Sequence, residues 1–205
     1  MIHLNNYGWN DKLSQLKQES TYNALTHGRI SIVHRTCYEV VSENGLFQCE
    51  LTGNMMYGKS DFELPCTGDW VLFQPFDEHK GIIVDMLPRE RTLYRKKNGT
   101  VADKQTIASY VDKAFIVQSL DDNFNVRRAE RFMVQMQEEH INPVLVFNKA
   151  DLRFDKQKVE EQIRHIARQI PVFFYKYSSI SDDSPITGVY IGRRNGCVCR
   201  LFRCR

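Results

Sequence analysis

The run Val144-Leu145-Val146-Phe147-Asn148-Lys149-Ala150-Asp151 constrains this chain more than any other stretch. Four apolar residues behind Pro143 are too few for a helix and read as a short buried strand. Buried strands of this kind belong to open α/β sheets, whose ligands bind beyond the carboxyl ends of the strands. Asn148, Lys149 and Asp151 stand at that end. A carboxylate in the last of these positions can accept two hydrogen bonds from guanine, one from N1–H and one from the exocyclic amine. Adenine carries an acceptor where guanine carries N1–H, so it would leave the buried carboxylate unpaired. Lys149 can lay its alkyl stem along the base, and Asn148 can brace neighbouring loops.

The flanking sequence supports such a sheet. Ala114–Ser119 is a second apolar run. Asp121-Asp122-Asn123 offers helix-capping side chains, and Val126, Ala129, Phe132, Met133 and Met136 follow at helical spacing as a core stripe. Asp155 is placed to cap a further helix, with Val159, Ile163, Ile166 and Ile170 on one face. Pro171–Phe174 supplies a third strand. Strand, helix, strand, helix, strand predicts a parallel sheet with right-handed crossovers.

Upstream, the texture is different. Arg29–Arg35, Tyr38–Val41, Leu46–Leu51, Val71–Phe76 and Gly81–Met86 are short β-like runs separated by turn signals such as Glu43-Asn44-Gly45 and Thr52-Gly53-Asn54. Five strands at this spacing predict a small barrel of the oligonucleotide-binding (OB) type. Arg29, Arg35, Arg89, Arg91, Arg95, Lys96 and Lys97 cluster at its ends as candidate RNA contacts, and Tyr57 and Tyr94 are candidates for stacking on bases. Residues 1 to about 26 are polar and uninformative apart from a possible helix at Asp11–Glu19. The fold class is therefore β followed by α/β. Its divisions are an N-terminal extension (1–27), an OB-like barrel (28–97), a polar linker (98–111), a parallel-sheet domain (112–174) and an irregular tail (175–205).

Composition sets limits. With 42% hydrophobic and 26% charged residues the chain is ordinary globular protein. No apolar run approaches membrane-spanning length, and Met1–Asn10 lacks a basic start and an apolar signal core, so a cytoplasmic protein without membrane contact is expected. Cys37, Cys49 and Cys66 read as reduced interior thiols. The formal charge of +3 is misleading: Tyr175–Arg205 alone carries +4, leaving −1 for the rest. Nucleic-acid binding must be argued from local clusters. Cys197, Cys199 and Cys204 in the tail are three thiols without a fourth ligand, a poor zinc site.

Barrel first, with no phosphate loop read upstream and the Asn-Lys-x-Asp motif before any phosphate loop, is the order of a circularly permuted GTPase. Gly68-Asp69-Trp70-Val71, Leu87-Pro88-Arg89, Asp112-Lys113-Ala114, Asp122-Asn123-Phe124-Asn125 and Asn148-Lys149-Ala150-Asp151-Leu152 together resemble the ribosome-small-subunit-dependent GTPase family, RsgA. The resemblance covers about residues 28–174. It implies GTP with Mg²⁺ as ligand, and guanine held by Asn148, Lys149 and Asp151 with Ala150 contributing main chain. It further implies a monomer acting in late maturation of the small ribosomal subunit, its barrel on ribosomal RNA. The family continues with a base-contacting turn, a phosphate loop, switch segments and a Zn²⁺-binding domain; downstream of Asp151 this chain spells none of them. Read one base later in permitted codons, Gly192–Arg205 gives E-G-E-T-V-V-F-V-G-S-S-G-V, a strand running into the start of a phosphate loop. The expectation is a frame change near Phe173-Phe174 and a polypeptide with little or no GTP binding or turnover. The alternative is a non-enzymatic OB-fold RNA-binding fragment.

Overall fold

Alternation of apolar and polar residues between Thr26 and Met86 builds five strands in the computed structural model, which describes residues 1–57, 60, 62–96, 104–121, 124–149 and 156–174. They are β1 (Thr26–Val33), β2 (Tyr38–Ser42), β3 (Gly45–Leu51), β4 (Trp70–Asp77) and β5 (Lys80–Met86). They close into a barrel in the order β1-β2-β3-β5-β4, antiparallel except where β3 runs parallel to β5. This is the expected five-stranded OB-type barrel. The first strand starts and ends earlier than its sequence suggests, because Thr26–Arg29 pair with Phe73–Trp70 while His34 N–H bonds back to the Cys37 carbonyl to make a turn. Ile30, Val40, Phe47, Cys49, Val71, Phe73 and Ile83 fill the interior, joined by Met55 of the one-turn helix α2 (Gly53–Met56). Removing a side chain as large as Phe73 from water contributes about 2–3 kcal/mol.

The N-terminal extension forms a second core against the barrel. Helix α1 (Asp11–Glu19) lies where expected, its first turn capped by the Asn10 side chain accepting from Leu13 N–H at 3.0 Å. Leu4 and Leu13 are buried with Val41, Trp70, Leu72 and Leu87, and Trp9 stands edge-on to Trp70 at 4.9 Å. The spaced apolar residues Ile2, Leu4, Trp9, Leu13 and Leu16 were the available signal. His27 packs on Trp9 and is held below its ordinary value of 6.5 by burial and by the Lys17 charge, against a smaller opposing effect of Glu43. The unfolded chain therefore takes up this proton first as pH falls. The contribution of this group to stability is full above about pH 6.5 and falls away as pH drops below it, and His27→Gln should flatten that slope in urea melts between pH 7 and 5.

Part of the stretch read as a linker is structured. Lys104–Ala108 forms β7, antiparallel to β6 (Leu93–Lys96), and a parallel bridge joins Ala108 to Thr67. Thr106 and Ala108 are buried, and the Thr106 hydroxyl donates to the Phe62 carbonyl at 3.0 Å. Tertiary pairing overrides the polar composition. The first compact unit accordingly runs from Met1 to Val111.

In the second unit, β8 (Lys113–Ser119), β9 (Asn142–Asn148) and β10 (Val172–Phe174) form a parallel sheet in the order β10-β9-β8. Helices α3 (Val126–Glu138) and α4 (Lys156–Ala167) connect them. On α4 and the turn after it, Val159, Ile163, Ile166 and Ile170 are buried as their spacing implies. On α3, Ala129, Met133 and Met136 are buried but Phe132 is 44% exposed, so the core stripe is narrower than read. Asn125 caps α3, accepting from Arg128 N–H at 3.2 Å, while Asp122 and Asn123 of the expected capping cluster lie outside the described residues. Asp155, Lys97, Ala150, Asp151 and the whole tail lie outside the described residues. Among the described residues no helix is long and apolar enough to cross a membrane.

Candidate functional site at the carboxyl edge of the parallel sheet

The three parallel strands end together: Ser119 pairs in register with Asn148, and Phe147 with Phe174. Asn148 is the last residue of the central strand. Lys149 then takes a left-handed φ of 58°, a conformation costing about 1 kcal/mol for a residue with a Cβ, and turns the chain off the sheet. The Lys149 ammonium meets the Asp121 carboxylate at 2.7 Å. The Asn148 carbonyl accepts from Leu120 N–H at 3.0 Å, which ties the loops after β8 and β9 together. Asn148 Oδ1 is buried and has no hydrogen-bond partner among the described residues. A buried acceptor in that state costs about 1–3 kcal/mol until a donor reaches it.

The end of β8 is tied to the start of α3. Buried Gln118 donates to the Asn125 carbonyl at 3.1 Å and accepts from Asn125 N–H at 3.3 Å, while Phe124 stands edge-on to Phe147 at 5.5 Å. Asp121, Phe124, Asn125 and Arg127 from this side, with Lys158 and Gln162 of α4, line a cleft of about 670 Å³. Asp121 and Gln118 are the residues that sequence reasoning missed. Asp121 was read as a cap, yet its place just past β8 mirrors that of Lys149 just past β9.

The basic residues proposed for the barrel divide into two groups. Arg89 is 12% exposed and grips the fully buried Asp69 with Nε at 2.9 Å and Nη2 at 2.7 Å, and also donates to the Phe62 and Leu64 carbonyls. Arg29 donates to the Gly68 carbonyl at 3.0 Å and to the Tyr7 carbonyl, with its guanidinium 5.8 Å from the Trp70 ring. Arg89 is thus built into the barrel through the buried Asp69, while Arg29 spends Nε and one terminal nitrogen on main-chain carbonyls. Arg91 pairs with Glu90 at 3.2 Å. Arg35 is exposed in the β1–β2 turn, and Arg95 is exposed on β6, donating to Gln105 at 2.9 Å. Lys96 closes β6. Tyr57 is 84% exposed, whereas Tyr94 is half-buried beneath the Lys104 ammonium at 4.1 Å. Cys49 and Cys66 are buried and free, Cys37 half-buried; burial, with the nearby Cys37, pushes the Cys49 thiol up to about 12.

A match to G-x-x-x-x-G-K-[ST] occurs once, at Gly53–Ser60, and the barrel reading leaves it out. Its first residues form α2, with Met55 in the barrel core, and Ser60 gives both N–H (2.9 Å) and hydroxyl (2.8 Å) to the Glu63 carboxylate. A phosphate loop needs the opposite order, a strand and then a loop opening a helix with its N–H groups turned on an anion. Gly58 and Lys59 lie outside the described residues.

A closed OB-type barrel followed by a parallel sheet, with Asn-Lys at the carboxyl end of its central strand, is the architecture of the circularly permuted GTPases. The fold is similar to the crystal structure of YloQ, a circularly permuted GTPase (TM-score 0.52, 22% identity, covering 78% of this chain and 54% of that one). It is likewise similar to that of YjeQ from Thermotoga maritima (TM-score 0.55, 21% identity, 74% and 51%). Residues 86–185 match the family model for RsgA GTPase. Over 171 residues the chain is 70% identical to small ribosomal subunit biogenesis GTPase RsgA 1 of Bacteroides thetaiotaomicron, covering 83% of this chain and 48% of the relative. Identity to RsgA of Opitutus terrae is 30% over 179 residues, covering 82% and 49%. The chain belongs to the RsgA GTPase family. It spans about half the length of the curated relatives it matches.

Proposed function

We propose that this chain supplies the RNA-contacting barrel and the guanine-reading edge of a small-subunit biogenesis GTPase. The observation that carries the guanine reading is the buried Asn148 Oδ1, without a partner among the described residues, at the end of the central strand beside a lysine with left-handed φ. Asp151 is the carboxylate that accepts from the base, Lys149 flanks it, and Ala150 lends main chain. When GTP is bound with Mg²⁺, phosphoryl transfer also needs a cradle of N–H groups, a lysine and a metal-holding hydroxyl. Asn148, Ala150 and Asp151 supply none of these, and Met55 of the Gly53–Ser60 match packs in the barrel core. Guanine nucleotides should therefore bind through the base alone. Guanosine, GMP and GTP are expected to bind the 205-residue chain within a few-fold of one another, without magnesium dependence and without turnover. Asp151→Asn should abolish the preference over adenine nucleotides. Tight, magnesium-dependent GTP binding would overturn this reading. Sequencing the DNA across Phe173-Phe174 tests whether Tyr175–Arg205 is out of frame.

For the RNA partner, Arg35 and Arg95 are the candidates with exposed side chains, and Lys96 and Lys97 follow Arg95 in the sequence. Removing Arg35 and Arg95 together should weaken binding to small-subunit RNA without changing its sequence preference. It should lower the salt slope by about one unit per lost phosphate contact. The non-enzymatic reading, an OB-fold RNA-binding fragment, predicts this result together with no response to guanine nucleotides.

A further inference from the structure

We propose that the cleft between α1 and the start of β1 holds a single nucleotide of unpaired RNA. It encloses about 350 Å³ and is lined by Trp9, Ser14, Lys17, Gln18, Asn23 and His27, within the range of small-ligand sites. Ser14, Lys17 and Gln18 recur at helical spacing and share one face of α1, whereas Leu13 and Leu16 turn to the core. The Trp9 and His27 rings lie 4.1 Å apart, and Trp9 is braced by the buried Trp70, so the aromatic wall is fixed. His27 is among the lining residues, and its buried Nε2 has no hydrogen-bond partner among the described residues.

The chemistry of the lining selects the ligand. An apolar molecule would strand His27 Nε2 and the Lys17 ammonium. A bare anion would leave the indole wall and the amides of Gln18 and Asn23 unused. A base uses the rings for contact and the imidazole nitrogen and amides for its polar edge, while Lys17 faces its phosphate. Lys17 is the one cation among the six lining residues, which suits the single charge of a phosphodiester better than the several charges of a free triphosphate. This goes beyond the guanine site and does not depend on it.

The test uses the ¹⁵N-labelled 205-residue chain, whose two tryptophans give two indole N–H signals. AMP, CMP and UMP are titrated, followed by single-stranded oligonucleotides of the same bases and by ribose 5-phosphate. Guanine nucleotides are left out, so failure of the guanine reading does not touch the result. The expected result is a saturable shift of the Trp9 signal, tighter for the oligonucleotides than for the monophosphates. Lys17→Ala should weaken both by about tenfold, the loss of one charge-assisted contact, with unchanged melting. Gln18→Ala is a second exposed variant and should also weaken binding. The proposal is overturned by the absence of a saturable Trp9 shift, or by an equal response to ribose 5-phosphate, which would make the cleft an anion site. Monophosphates binding more tightly than oligonucleotides, or affinity unchanged in both variants, would overturn it as well.

Discussion

Replacing Asp69 with Ala should lower the stability of the barrel unit by about 3–5 kcal/mol, the cost of leaving one member of a buried ion pair alone. Asp69 is fully buried, accepts from Cys66 N–H at 2.8 Å and takes the Arg89 fork on both oxygens. Without it, Arg89 keeps only the Phe62 and Leu64 carbonyls while its charge stays largely out of water. Urea melts followed by tryptophan fluorescence report the loss, since Trp70 is the next residue. The double variant Asp69→Ala, Arg89→Met should recover part of it, because no unpaired charge remains. A single-variant loss below about 1 kcal/mol would show that the pair does not hold this corner.

Gly68→Ala should cost about 3 kcal/mol or more. Gly68 has a φ of 97°, where a Cβ brings about 1–2 kcal/mol of strain. That Cβ would also stand 2.3 Å from the Ser109 carbonyl oxygen, a main-chain atom. Relief by movement is blocked: Gly68 N–H bonds the Ile30 carbonyl at 2.9 Å, Arg29 holds the Gly68 carbonyl, and Ser109 N–H bonds the Thr67 carbonyl at 3.0 Å. Gly53→Ala is the control. Nothing among the described residues lies within 4 Å of its Cβ and it opens α2, so that variant should melt at the wild-type midpoint or slightly above. Equal melting midpoints for the two variants would remove the steric argument at Gly68.

These two residues also explain a motif. Gly68-Asp69-Trp70-Val71 and Leu87-Pro88-Arg89 resemble family signatures in sequence, and in the fold they are two halves of one joint. Asp69 meets Arg89, Leu87 N–H bonds the Trp70 carbonyl at 2.9 Å, and Trp70 fills the second core. Counting Arg89 and Arg29 as RNA contacts rests on their charge alone, and charge in a sequence says nothing about whether a partner lies beside it in the fold, as Asp69 does for Arg89.

Local patterning by itself determined the order of elements. Period-two alternation marked the barrel strands, helical spacing marked α4, and Asn-Lys after an apolar run marked the sheet edge. These signals lie within a few residues of one another, so the chain states them directly. Tertiary structure alone decided what depends on distant partners: the pairing of β7 with β6 across a polar stretch, the docking of Leu4 and Leu13 on the barrel, the Asp121–Lys149 contact, and the burial of Arg89. Each joins residues separated by eight to more than sixty positions, and only the closed fold brings their groups out of water together.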